Sequence, residues 1–271
     1  MSTTFTENIL SMDADAQEHR MLATTAEKLI KIYTIDNDQI NPEFELKGHD
    51  GPVTSAKFIN KGELIASCCF TGKVIIWKLE GNSYNKKFER KIFEGSLNSL
   101  SVKNIENGFI VFCACSDGNV RTLQFDFSLN YSEDLFFAHR FGVTCIDNND
   151  LYVVTGGLDS NVTLWDLKEK KEIETFSDHK KFVRAVAVCP ANEFNILTFA
   201  SCAEDGSLVI YSREDDCIVK QIIEMGSPCY SVSWSASGFS LCVGYGDSFF
   251  KTFVPDVSGK FKEVEIVSNE K

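Results

Sequence analysis

The sequence predicts an all-β fold, a propeller of six blades with four antiparallel strands each, on three observations. A tight turn recurs at Glu27, Thr71, Asp117, Asp159, Asp205 and Asp247, at separations of 44, 46, 42, 46 and 42 residues. A large apolar residue follows six positions after each turn residue: Tyr33, Trp77, Leu123, Trp165, Tyr211 and Phe253. Six units of about 44 residues take up nearly all of the 271 positions, and a period in the low forties marks a four-stranded blade.

The units are read in chain order as residues 5–46, 47–92, 93–136, 137–176, 177–223 and 224–269 of a single domain, 1–271. A repeat array counts as one domain because each blade buries its faces against its neighbours. The innermost strand of the first unit is placed near residues 9–14. In the second, the turn 48–52 leads into an alternating strand, 53–59. Lys61-Gly62 makes a hairpin, 64–69 is a buried strand of small residues, and Thr71-Gly72 turns into 74–77 with an outer strand near 88–92. The third unit keeps its turn at Asp117. The fourth repeats the order at 143–146, 153–157 and 162–165, and the fifth at 183–188, 197–202 and 208–211. After Phe253 the sixth turns at 255–259 into an alternating segment, 261–267, which can serve as its own outer strand.

Composition narrows the function. The chain has 44% hydrophobic and 24% charged residues, ample for a core. No apolar run approaches the roughly 18–20 residues that cross a bilayer, and residues 1–10 do not read as a signal peptide, so a cytosolic or nuclear location is expected. A net charge of −12 repels nucleic acid and anionic lipid. Of ten cysteines, Cys68, Cys69, Cys113, Cys115, Cys202 and Cys242 sit where a blade needs small residues, the use expected of free thiols in a reducing compartment. The four histidines lack metal-site spacing and no Cys-x-x-Cys pair occurs, so no metal or cofactor is expected.

One constellation of polar residues recurs. The fourth unit carries His139, Thr155, Asp159 and Trp165. The second carries His49, Ser67 and Trp77 with Thr71 in the acid's place, and the fifth His179, Ser201 and Asp205 with Tyr211 in the Trp place. In these positions the chain resembles the WD-repeat family, which implies a buried hydrogen-bonded chain locking each blade. Such residues are structural, and the Ser lies inside a strand with no Gly-x-Ser-x-Gly elbow, so no catalytic residue and no enzyme activity is expected. The third unit departs with Phe93 and Leu123, and the sixth with Met225 in place of His.

Closed propellers are usually clasped by exchange of a strand between the chain ends. No extra strand precedes the first unit and none is missing from the sixth, so nothing ties the last blade to the first. The exposed flanks would be Phe5, Ile9, Leu10 and Leu29 on one side and Tyr245, Phe249, Phe250 and Phe253 on the other. Either these meet directly or another chain fills the gap, because monomers rarely expose large apolar patches.

At residues 46–53, 65–69, 72–78, 138–143, 154–157, His179 with 182–184, and 232–238, and along its whole length, the chain resembles the Sec-thirteen family, the small WD-repeat subunit shared by the COPII outer coat and the nuclear-pore outer ring. The resemblance implies an open six-bladed ring into which an α-solenoid coat or pore partner inserts a three-stranded blade. It also implies a rigid, non-enzymatic scaffold at the endoplasmic reticulum, on COPII vesicles and in the nuclear pore, and for some members a third assembly at lysosomal or vacuolar membranes. The alternatives are a sister open propeller of the pore's outer ring and a peptide-reading WD-repeat adaptor.

Overall fold

The computed structural model describes residues 8–15, 19–36, 39–190, 196–214 and 217–264, and every regular element among them is a β-strand. The first sheet comprises β1 (Ile9–Ala14), β2 (Arg20–Thr25), β3 (Leu29–Asp36) and β4 (Gln39–Lys47). The second has β5 (Val53–Ile59), β6 (Leu64–Cys69), β7 (Lys73–Glu80) and β8 (Ser83–Lys91). The third has β9 (Leu97–Ile105), β10 (Gly108–Cys115), β11 (Asn119–Asp126) and β12 (Tyr131–Phe137). The fourth has β13 (Val143–Asn148), β14 (Tyr152–Gly157), β15 (Val162–Asp166) and β16 (Lys171–Phe176). The fifth has β17 (Val183–Val188), β18 (Thr198–Ala203), β19 (Ser207–Glu214) and β20 (Cys217–Glu224). The sixth has β21 (Cys229–Trp234), β22 (Leu241–Tyr245), β23 (Phe249–Pro255) and β24 (Phe261–Val264).

Each of the six sheets joins four successive strands in chain order. The expected outer strand of the second blade, 88–92, is longer and begins earlier, at Ser83. A two-residue hairpin with Gly81 at φ 62° pairs Glu80 with Ser83, so the ladder closes directly behind the turn. Of the expected segment 261–267, residues 261–264 pair with β23 and the remainder lies outside the described residues.

The chain divides into two compact units, 1–143 and 144–271. In the first, Leu22, Ile30, Ile32 and Leu46 pack on Val53, Ile65, Ile75 and Trp77. The other face of the second sheet, with Val74 and Ile76, packs on Leu97, Phe109, Val111 and Leu123. In the second unit, Val154, Leu164 and Phe176 meet Val183, Phe199, Val209 and Tyr211. Ala200, Leu208 and Ile210 meet Leu241, Val243, Phe253 and Phe261. Strand alternation explains this layering: β7 sends Ile75 and Trp77 to one side and Val74 and Ile76 to the other, so the strand is apolar on both faces.

The innermost strands of the first, second, third, fifth and sixth sheets carry a β-bulge. It falls at Leu10, Thr54, Asn98, Arg184 and Tyr230, where two residues of one strand oppose one of the next. The bulge turns the side chain toward the following blade, and where that side chain is short and polar it makes a tie. Thr54 Oγ1 donates to the Leu97 carbonyl at 2.6 Å, and Asn98 Nδ2 to the Val143 carbonyl at 2.7 Å. Thr144 Oγ1, two residues into β13, donates to the Val183 carbonyl at 2.6 Å. Leu10 has no donor, and Arg184 turns instead to Glu204. Thr54→Val keeps the side-chain shape and removes the donor, so it is expected to cost about 1 kcal/mol, read as a lower urea midpoint with an unchanged slope.

Candidate functional site

The buried polar groups of the second and fifth blades are built differently. In the second, Trp77 Nε1 donates to Ser67 Oγ at 2.9 Å, and His49 Nε2 lies 2.7 Å from the same oxygen. Thr71, in the acid's place, donates its hydroxyl to Asp50, whose other oxygen pairs with Lys73 at 3.2 Å. Asp50 therefore brings a carboxylate to this loop, but it is bonded to Thr71 and Lys73 and not to His49. The Thr71 hydroxyl, followed by smaller contributions from Lys73, holds the Asp50 carboxyl down at about 2.

In the fifth blade, His179 Nε2 lies 2.7 Å from Ser201 Oγ, and His179 Nδ1 lies 2.8 Å from Ser207 Oγ. Ser207 donates to Asp205 at 2.6 Å, standing between ring and carboxylate, so Asp205 acts on the ring mainly through Ser207. Tyr211, in the Trp place, lies 3.5 Å from Ser201 and donates to Asp178 at 3.3 Å. In the fourth blade Trp165 Nε1 donates to Thr155 Oγ1 at 2.9 Å, and Asp159 accepts from the Asn161 amide at 3.2 Å. His139 is buried there. The third blade replaces the lock altogether: Arg121 makes two bonds to Asp117, at 3.1 and 2.8 Å, and stacks over Phe93 at 4.2 Å, while Leu123 is fully buried.

Burial pushes the His49 pKa down from 6.5 to about 4, with Lys73 adding to the effect and Asp50 opposing it, and burial lowers His179 as well. An unfolded histidine takes its proton near pH 6.5 and folded His49 only near 4. The stability held by the neutral ring is complete above pH 6.5 and is lost as pH falls toward 4. The loss expected from His49 is roughly 3 kcal/mol across that window. Urea unfolding at stepped pH values checks it, and His49→Gln should flatten the slope.

All ten cysteines are free thiols, eight of them buried and Cys217 and Cys242 exposed. Burial pushes Cys68 and Cys145 up to about 12, so they remain protonated and pack as small apolar side chains.

The flank residues sort by strand parity. On β3, Ile30 and Ile32 face the second blade, so Leu29 lies on the opposite face with Lys31 and Tyr33. On β1, Leu10 sits at the bulge and is 47% exposed, as is Met12, while Ile9 is half-buried. On the same outward face Ala23 and Tyr33 are buried. Met12 was not among the expected flank residues, although the alternation of the strand points to it. Phe5 lies outside the described residues.

On the sixth blade, Phe253 is 2% exposed and packs with Leu208 and Ile210 of the fifth. It is therefore a core residue and not part of a flank. Phe249 shares its strand face, and Tyr245, paired with Phe249, packs against the same core, so neither lies on the flank that the sequence suggested. Phe250 has the opposite parity. It is 62% exposed and lies with Thr252 on the face turned away from the fifth blade.

The description "WD domain, G-beta repeat" matches the chain at 40–78, 131–166 and 170–212. Relatives named "Protein transport protein sec13" align with nearly the whole chain. The Emericella nidulans protein is 27% identical over 93% of this chain and 92% of its own length. The Coccidioides immitis protein is 28% identical over 93% and 92%, and that of Yarrowia lipolytica 29% identical over 92% of each. The chain carries WD repeats and is similar over nearly its whole length to Sec13 proteins. The three matched stretches each start at the outer strand of one blade and end on the third strand of the next. They contain His49, His139 and His179, and so fall on the units whose polar locks survive.

Proposed function

We propose that this chain is a Sec13-family member, a non-enzymatic scaffold subunit of protein transport. It is an open six-bladed propeller completed by a blade that an α-solenoid partner inserts between its first and sixth blades. The completed element serves as a stiff part of the COPII coat on the cytoplasmic face of the endoplasmic reticulum and its vesicles, and of the Y-shaped nuclear-pore scaffold. The observation that supports this reading is that, among the described residues, each of the six sheets is built from four successive strands and none takes a strand from the other end of the chain. A propeller without that clasp needs another means of holding its ends.

An inserted three-stranded blade would bury about 2,000 Å² or more, the size of an obligate interface. At about 25 cal/mol per Å² of apolar area this is a gross stabilisation of tens of kcal/mol before ordering costs. Such a joint resists bending while the acidic surface stays off anionic lipid. The burial of Ser67 and Ser201 inside β6 and β18 supports a non-catalytic role for the histidine locks.

The test is affinity purification of the tagged chain from cells, with its partners identified by mass spectrometry. A stoichiometric α-solenoid coat or pore subunit is expected. Recovery of only short-motif clients, with no solenoid subunit, would favour a peptide-reading adaptor.

A further inference from the structure

We infer that His49 and His179, which occupy equivalent positions in the second and fifth blades, carry their ring proton on opposite nitrogens. In the fifth blade the direction of every bond is set by Asp205. Burial works against its ionisation, but the bonds from Ser207 and from the Lys180 amide outweigh this and hold it below the usual carboxylate range. An ionised carboxylate only accepts, so the Ser207 hydroxyl proton goes to it at 2.6 Å. The Ser207 oxygen is then left only as an acceptor toward His179 Nδ1 at 2.8 Å, so Nδ1 carries the proton, and Asp205 Oδ2 at 3.5 Å from that nitrogen favours the same state. The bare Nε2 accepts from Ser201 at 2.7 Å.

In the second blade Lys73 stands where the fifth has Ser207, and Thr71 where it has Asp205. Among the described residues His49 Nδ1 has no hydrogen-bond partner, though the residue is 8% exposed. A proton there would be a buried donor without an acceptor, close to the Lys73 ammonium. Placed on Nε2 instead, it is donated to Ser67 Oγ at 2.7 Å, which also accepts from Trp77 and turns its own hydrogen to the Ile75 carbonyl at 3.4 Å. Orphaned buried N–H groups are rarer than under-satisfied acceptors, so this arrangement wins. The lock that lost its acid keeps its geometry by reversing the ring's hydrogen-bond polarity, and leaves a lone pair inside the second blade.

Ring-nitrogen NMR of the ¹⁵N-labelled full chain at neutral pH tests this, because bare and protonated imidazole nitrogens resonate far apart. His49→Gln and His179→Gln each delete one pair of signals and assign the rest; should either fail to fold, ring-proton contacts to Trp77 and Tyr211 assign them in the parent chain. The expected result is a bare Nδ1 in His49 and a bare Nε2 in His179. Ser207→Ala removes the acceptor 2.8 Å from Nδ1 and should move the His179 nitrogen signals while leaving those of His49 unmoved. The same tautomer at both sites would overturn the inference.

Discussion

The Phe250→Asp chain is expected to lose the proposed solenoid partner in affinity purification while its melting temperature stays within about 3 °C of the parent. Phe250 is exposed on the face of β23 turned away from the fifth blade, so a carboxylate there is fully solvated in the free protein. Insertion of a neighbouring blade would strip that water from an unpaired charge. A penalty of about 3 kcal/mol or more is expected, a loss of affinity above 100-fold. Phe249→Asp is the matched control: equally exposed, one residue earlier and on the opposite strand face, it should weaken binding far less. Equal loss from both would mean that strand parity does not define the seam.

Gly72→Ala is expected to be the most damaging of the small substitutions in the turns. Gly72 has φ +82°, and an added Cβ would stand 1.8 Å from the Phe93 carbonyl oxygen and 2.8 Å from that of Gly95. The Gly72 carbonyl also accepts the Ile92 amide at 2.9 Å, so the turn cannot shift without breaking the end of the β7–β8 ladder. The left-handed conformation alone costs a residue with a Cβ about 1–2 kcal/mol, and the backbone clash should carry the total beyond about 3 kcal/mol. Gly206 occupies the same place in the fifth blade with φ +81°, but its added Cβ would meet the Ser227 carbonyl oxygen only at 3.1 Å. Gly206→Ala should therefore cost about 1–2 kcal/mol, the conformational part alone. Chemical unfolding of the two variants side by side reads the difference.

The blades were legible in the sequence because their signals are local. A small-residue strand, a turn residue followed by Gly, and an alternating apolar run are each settled by neighbours in the chain, and β5, β6 and β17 begin and end where the pattern says. The polar locks were half legible. His49, Ser67 and Trp77 fall in place by spacing, but the pairing of Thr71 with Asp50 depends on how two loops meet. So does the insertion of Ser207 between His179 and Asp205. The flank was least legible. An aromatic cluster such as Tyr245, Phe249, Phe250 and Phe253 reads as one apolar patch, whereas the period of two sends Phe250 to one side and the others to the fifth blade. Counting parity from the buried Phe253 would have separated them, as counting from Leu10 would have found Met12.

The most direct test of a propeller completed from outside is an experimental structure of the chain bound to the partner with which it co-purifies. Three strands of the partner are expected between the first and sixth blades, against Phe250 on one side and against Leu10 and Met12 on the other. A structure in which a terminal strand of this chain joins the opposite end's sheet, with the partner bound elsewhere, would contradict it.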